Sequence, residues 1–229
     1  VTCTAIALVV VCVVWTENYG SSEDDATKNM LGYFKEAVTA FRNDNKMLRV
    51  GLLQGLSEGY IQIFVFLWAP TLRHFALSAP RNSWGLDKDG KPAYGLIFGA
   101  YMGAGVLGGL VASYVRKLAT TLLTPMADKA SIIVVEVDGE GAVRPMAVEF
   151  VAAGCYFFSA LMLFVPCLCP DTSASSFTNA LAALVAYELL IGIFLPCEGV
   201  IRSIYFPANA RASIMTLPRI IVNAAVAIG

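Results

Sequence analysis

Between Arg49 and Arg73 the chain carries one charged residue, Glu58, in the 23 residues 50–72. As a helix this run is ~34 Å long at ~1.5 Å per residue. That is enough to cross the ~30 Å hydrocarbon core of a bilayer. Glu58 then lies ~15 Å from the nearer end, close to the midplane. An ionisable group at that depth is costly and marks a pathway, a proton relay or a binding site. Gln54, Ser57, Glu58 and Gln62 stand at i, i+3, i+4 and i+8 and share one side of the helix. Gly51, Gly55 and Gly59 run beside that stripe and are expected to admit a neighbouring helix. Hydrogen bonding to such a neighbour is the structural alternative. It suits the amides and the serine better than the carboxylate, which is harder to bury.

The rest of the chain fits the same solvent. Hydrophobic residues make up 57% and charged residues 14%, against about 25% charged in soluble domains. Charge-free or charge-poor runs recur at 94–115, 150–170 and 180–201, with shorter ones at 1–16 and 220–229. The expected fold is all-α, a polytopic transmembrane bundle of five full or nearly full spans and a sixth begun. The chain opens inside one apolar run and closes inside another, so it is expected to be part of a longer one. Residues 1–16 read as the end of a spanning helix, 17–49 as a polar central loop, and 50–229 as a truncated transmembrane half. Within the loop, Met30, Phe34, Ala37, Val38 and Phe41 recur at helical spacing among charges, the pattern of an amphipathic surface helix. Ser22 or Asp25 is its expected cap. Asp87-Lys88-Asp89-Gly90 signals a turn, and residues 131–137 followed by Asp138-Gly139 signal a short hairpin.

Lys and Arg divide unevenly between the two ends. Connections on one side carry five (Lys28 to Arg49), four (Arg116 to Arg144) and three (Arg202 to Arg219); the other side carries four (Arg73 to Lys91) and none. The positive-inside rule places the 17–49 loop in the cytosol. Net charge of −1 with no basic tract gives no support for nucleic-acid binding. No Ser/His/Asp set and no Cys/His metal spacing occurs, so neither an enzyme nor a cofactor is expected. The six cysteines read as small packing residues.

On this orientation the 50–72 and 180–201 helices run in opposite directions, bringing Glu58 and Glu188 to the midplane from opposite ends. Glu188 is ~12 Å deep at ~1.5 Å per residue. Glu198 stands four residues before Arg202, the favourable order for an ion pair at the inner rim. Gly192, Pro196 and Gly199 are expected to break or bend this helix, which suits a transporter helix that rocks. Arg219, at the mouth of the last span, is expected either to attract an anion as a gate charge or to anchor the interface. Asn223, inside that span, joins Gln54, Glu58, Gln62 and Glu188 on the expected pathway. Gly95, Gly99 and Gly103, with Gly105 and Gly109, read as packing residues of the 94–115 span.

These residues carry a resemblance. Gly51-x-x-Gln54-x-Leu56-x-Glu58, then Ile61-x-Ile63-Phe64-Val65-Phe66-Leu67-Trp68-x-Pro70, resembles the seventh helix of the eukaryotic molybdate-anion transporters, a family within the major facilitator superfamily. Gly95-x-Ile97-Phe98 fits the next span. Glu188-Leu189-x-x-Gly192-x-x-x-Pro196, with Arg202, Pro207 and Arg219, is similar to the tenth helix and the loop after it. The resemblance implies a partial major facilitator fold, about helices six to eleven. It implies a plasma-membrane monomer in the lipid bilayer that imports molybdate by rocking two halves. The 119–145 connection is longer than the family's, and Arg116-Lys117 stand where the superfamily often has a gate motif. Two ionised carboxylates would repel a dianion in a poorly screened site; either they are protonated when the anion binds, which couples uptake to protons, or positive groups in the other half hold the anion. A sensor or assembly protein of the same fold, with polar faces used only for packing, is the alternative.

Overall fold

The computed structural model describes residues 30–123, 135–137, 141–143 and 145–206, with 13, 222, 223 and 227 as further helical residues. In chain order these form α1 (Met30–Asn43), α2 (Asn45–Ala76), α3 (Tyr94–Leu123), the strands β1 (Val135–Val137) and β2 (Gly141–Val143), α4 (Pro145–Leu168) and α5 (Ser176–Tyr205). The 1–16 span, the cap at Ser22 or Asp25, Arg219 and most of the last span lie outside the described residues.

α1 and α2 are separated by one residue. Asp44 is extended, at φ −126° and ψ 105°, and its carboxylate accepts from the backbone N–H of Lys46 at 2.8 Å and of Met47 at 3.4 Å. That satisfies two of the donors a helix start leaves open. We expect Asp44→Ala to destabilise this junction by about 1 kcal/mol. The measurement is amide hydrogen exchange at Lys46 and Met47, whose protection falls while α3 to α5 keep theirs. Unchanged protection would show that the cap does not set the junction.

α2 overruns the expected 50–72 segment at both ends, and α3 runs on to Leu123 through Arg116 and Lys117. Charges mark where a helix leaves the membrane; they do not end it, and Arg73 and His74 in the last turn of α2 suit a helix C-terminus. The hairpin forms as the sequence suggests, antiparallel, with Val135 opposite Val143 and Val137 opposite Gly141. The 87–90 turn forms too. The Asp87 carboxylate accepts from Asp89 N at 2.9 Å and Lys91 N at 2.8 Å, and Gly90 takes φ 77°.

α2 to α5 are each long and apolar enough to cross a membrane. Side chains such as Phe66, Leu110 and Phe157 stand exposed on them. Outward apolar faces over a polar-poor bundle are those of an integral membrane protein.

The bundle is organised around α5 rather than α2. α5 packs against α3, α4 and α2 and carries both apolar clusters. One takes Phe177, Leu181, Leu184, Tyr187 and Ile191 of α5 with Phe64 and Leu72 of α2 and Ile97 and Tyr101 of α3. The other takes Phe194, Cys197, Val200 and Ile201 with Val148, Val151 and Cys155 of α4. The helix is continuous through Gly192 and Pro196, where a break was expected. Gly192 serves a different purpose: α3 and α5 cross backbone to backbone there. A Cβ on Gly108 would strike the Leu189 carbonyl and approach Gly192 Cα to 2.9 Å, and one on Gly192 would strike the Gly105 carbonyl. Gly95, Gly99 and Gly103, expected to pack, have none of the described residues within 4 Å of where a Cβ would stand, and Gly51 meets the Phe41 ring of α1.

Two contacts fix which ends lie together. Phe41 of α1 meets Phe206 edge-on at 6.3 Å between ring centroids. At the other end His74 Nε2 lies 2.9 Å from Asp171 Oδ1, and Ser78 Oγ donates to the Asp171 carbonyl at 2.7 Å.

Candidate functional site

The second apolar cluster takes no fully buried side chain from α2. There α2 turns its polar stripe inward instead: Gln54 and Ser57 are buried, Glu58 is half-buried, and Gln62, one turn further, is exposed. The stripe is bonded along its own helix, Gln54 Nε2 donating to Glu58 Oε1 at 3.0 Å. It reaches α5 through Ser57. The Ser57 Oγ lies 2.8 Å from the Gln54 carbonyl and 3.3 Å from Glu198 Oε1.

Glu198 is therefore buried within the bundle, 3% exposed. Among the described residues no Arg202 nitrogen lies within ion-pair distance of it; the guanidinium turns back toward Gly199, near enough for its charge to act on Glu198. Of the two α5 acids, Glu198 is the one close enough for the Glu58 charge to act on it. Glu188 sits toward α3 instead, its Oε2 3.9 Å from where a Cβ on Gly105 would stand. Asn223 is helical and exposed.

One hydroxyl carries one proton, so Ser57 donates either to Gln54 or to Glu198. With Glu198 ionised one of the two acceptors goes without. With Glu198 protonated it donates to Ser57, which donates to Gln54, and both contacts are satisfied. We expect Ser57→Ala, which strips a buried carboxyl of its partner, to destabilise the protein by about 1–3 kcal/mol. A thermal melt of the detergent-solubilised protein measures this. A melt equal to wild type would mean the contact contributes nothing.

Reading the sequence for charge misses the tyrosines. Tyr156 of α4 donates to the Leu53 carbonyl at 3.3 Å and so joins α4 to α2. Tyr60 lies edge-on to Tyr156 at 6.1 Å and to Tyr187 at 6.0 Å between centroids, linking the Glu198 and Glu188 levels. Tyrosine in spanning helices favours the membrane interfaces, so Tyr60 and Tyr187, well inside α2 and α5, are the signal that was available. Among the described residues no group of His, Cys, Asp and Glu is placed to hold a metal ion.

A family model described as sugar transporters with 12 TM matches residues 1–137. The molybdate-anion transporter of Xenopus tropicalis is 24% identical over 215 residues, covering 94% of this chain and 38% of that protein. The molybdate-anion transporter of Xenopus laevis is 24% identical over 230 residues, covering 98% of this chain and 41% of that protein. The chain thus spans about two fifths of the length of these relatives. No solved structure matches it.

Proposed function

We propose, from the premise that the chain belongs to the 12-TM family described as sugar transporters, that the whole protein is a secondary transporter for an inorganic oxyanion, molybdate first. In this reading the chain supplies most of one half, and protons move with the anion. The observation that carries it is the buried contact of Ser57 with Glu198, beside Glu58. An apolar bundle gains no stability from acids at this depth. A carboxyl whose hydrogen bonding is complete in one protonation state and incomplete in the other is suited to exchanging a proton during a cycle.

The substrate follows from chemistry and from the relatives' names together. Ionised carboxylates repel a dianion, so an oxyanion enters only when they are neutral or shielded, and its entry is tied to protons. Alternating access uses the α3–α5 crossing, where backbones meet without side chains between them, and the polar α2–α5 face, which loses no apolar burial when it shifts. Positive residues at the α1 end support a cytosolic setting for that end, in a plasma-membrane monomer. Glu198, Arg202 and Arg219 act at the inner half of the path.

The test is uptake by the full-length protein in cells lacking their own molybdate import. Labelled molybdate accumulates in proportion to the imposed inward proton gradient, and a labelled monosaccharide does not. Uptake of the monosaccharide alone would move the reading to the chemistry in the family's description. Uptake of neither would favour a sensor or assembly protein.

A further inference from the structure

Three buried hydroxyls have no hydrogen-bond partner among the described residues, those of Ser159, Tyr101 and Tyr187, and the two tyrosines stand together. Tyr101 of α3 and Tyr187 of α5 are 1% and 0% exposed, and neither hydroxyl has a hydrogen-bond partner among the described residues. Phenylalanine would fill the same space without burying an unpaired polar group. The two rings are held together by Phe64 of α2, whose centroid lies 5.8 Å from Tyr101 and 4.6 Å from Tyr187. Tyr60 stands against Tyr187. Glu188 is the charge that reaches all three phenols, and Gly105, one turn along α3 from Tyr101, leaves room beside its carboxylate.

We infer that Tyr101 and Tyr187, with Tyr60 beside them, are the hydrogen-bond donors that hold the transported oxyanion in this half of the protein. The inference rests on the oxyanion-transporter reading and names the groups that bind. A tetrahedral oxyanion presents only acceptor oxygens, and a phenol donates to it without a charge of its own. Neutral donors are what the middle stretches of α2, α3 and α5 have to offer. No Lys or Arg stands in α2 between Arg49 and Arg73, in α3 before Arg116, or in α5 before Arg202. Glu188 then decides occupancy. Ionised, it repels the anion; protonated, it becomes a further donor, so the anion and the proton arrive together.

The experiment compares wild type, Tyr101→Phe, Tyr187→Phe and the double variant in the full-length transporter. Labelled molybdate uptake is measured over a concentration series, with a labelled monosaccharide in parallel. Each single variant raises the molybdate KM about tenfold and the double variant about a hundredfold if the sites add. Surface abundance stays at the wild-type level, and the melting temperature is equal or higher, because an unpaired hydroxyl has been removed. If wild type takes up molybdate and all three variants keep its KM, the hydroxyls are not donors and the inference falls while the transporter reading stands. If wild type takes up the monosaccharide and not molybdate, both fall.

Discussion

Glu58→Gln is expected to leave the protein folded and to lower accumulative molybdate uptake by about tenfold or more, roughly 1.4 kcal/mol in the coupled step. The fold should not notice the change. The glutamine amide oxygen accepts from Gln54 as the carboxylate oxygen does, and the side chain keeps its length. Neutralising Glu58 also removes a negative charge that acts on the buried Glu198, so stability holds or rises. What is lost is the capacity to titrate. If a proton passes through the Glu58–Glu198 pair, the variant carries the anion without it, and the dependence of uptake on external pH flattens. Wild-type uptake with a wild-type pH profile would make Glu58 a packing residue and remove the basis for proton coupling at this pair. Glu198→Gln, made in parallel, separates the two acids. Its amide can still donate to Ser57, so a fall in uptake with an unchanged melt again reports proton exchange rather than folding.

Which features of this bundle were legible in the sequence follows from what periodicity encodes. A charge-poor run long enough to span a bilayer is unambiguous, and four such helices stand close to where the runs lie. Local chemistry was equally readable: the Asp87 turn, the paired strands 135–137 and 141–143 and the helix Met30–Asn43 each depend on residues a few positions apart. A helix that is apolar all round does not say which neighbour it meets. That is why α5 was not visible as the hub, and why five glycines of α3 looked alike. Gly105 meets α5 and Gly99 meets none of the described residues, a distinction made by the crossing and not by spacing. Gly108, the tightest glycine of α3, lies outside the small-xxx-small series.

The candidate site was half readable. The stripe Gln54, Ser57, Glu58 does turn inward, as its spacing requires, but the partner of that stripe lies 141 residues away at Glu198. The helix positions of Glu198 and Arg202 suggested a pair; the Ser57 hydroxyl lies within reach of Glu198 instead. Tyrosines were hidden by being counted as apolar, though each brings a hydroxyl that must find a partner once buried.

The largest effect on stability is expected at the α3–α5 crossing. Gly108→Ala should destabilise the protein by about 3 kcal/mol, whereas Gly99→Ala, nine residues away on the same helix, should leave it unchanged or slightly more stable. The two substitutions are chemically identical and differ only in what the new methyl meets. At position 108 it meets the Leu189 carbonyl and the Gly192 backbone. Backbone cannot rotate aside as a side chain can, so α3 and α5 must separate along the contact that joins both apolar clusters. At position 99 it meets none of the described residues within 4 Å, and alanine favours the helix by roughly 1 kcal/mol over glycine. Thermal melts of the two variants in detergent, with surface abundance in cells, give the comparison. Gly192→Ala belongs with Gly108→Ala, since its methyl would strike the Gly105 carbonyl from the other side. If Gly108→Ala and Gly99→Ala melt together, the helices do not cross at these glycines. The proposed rocking of α3 against α5 would then have no smooth surface to move on.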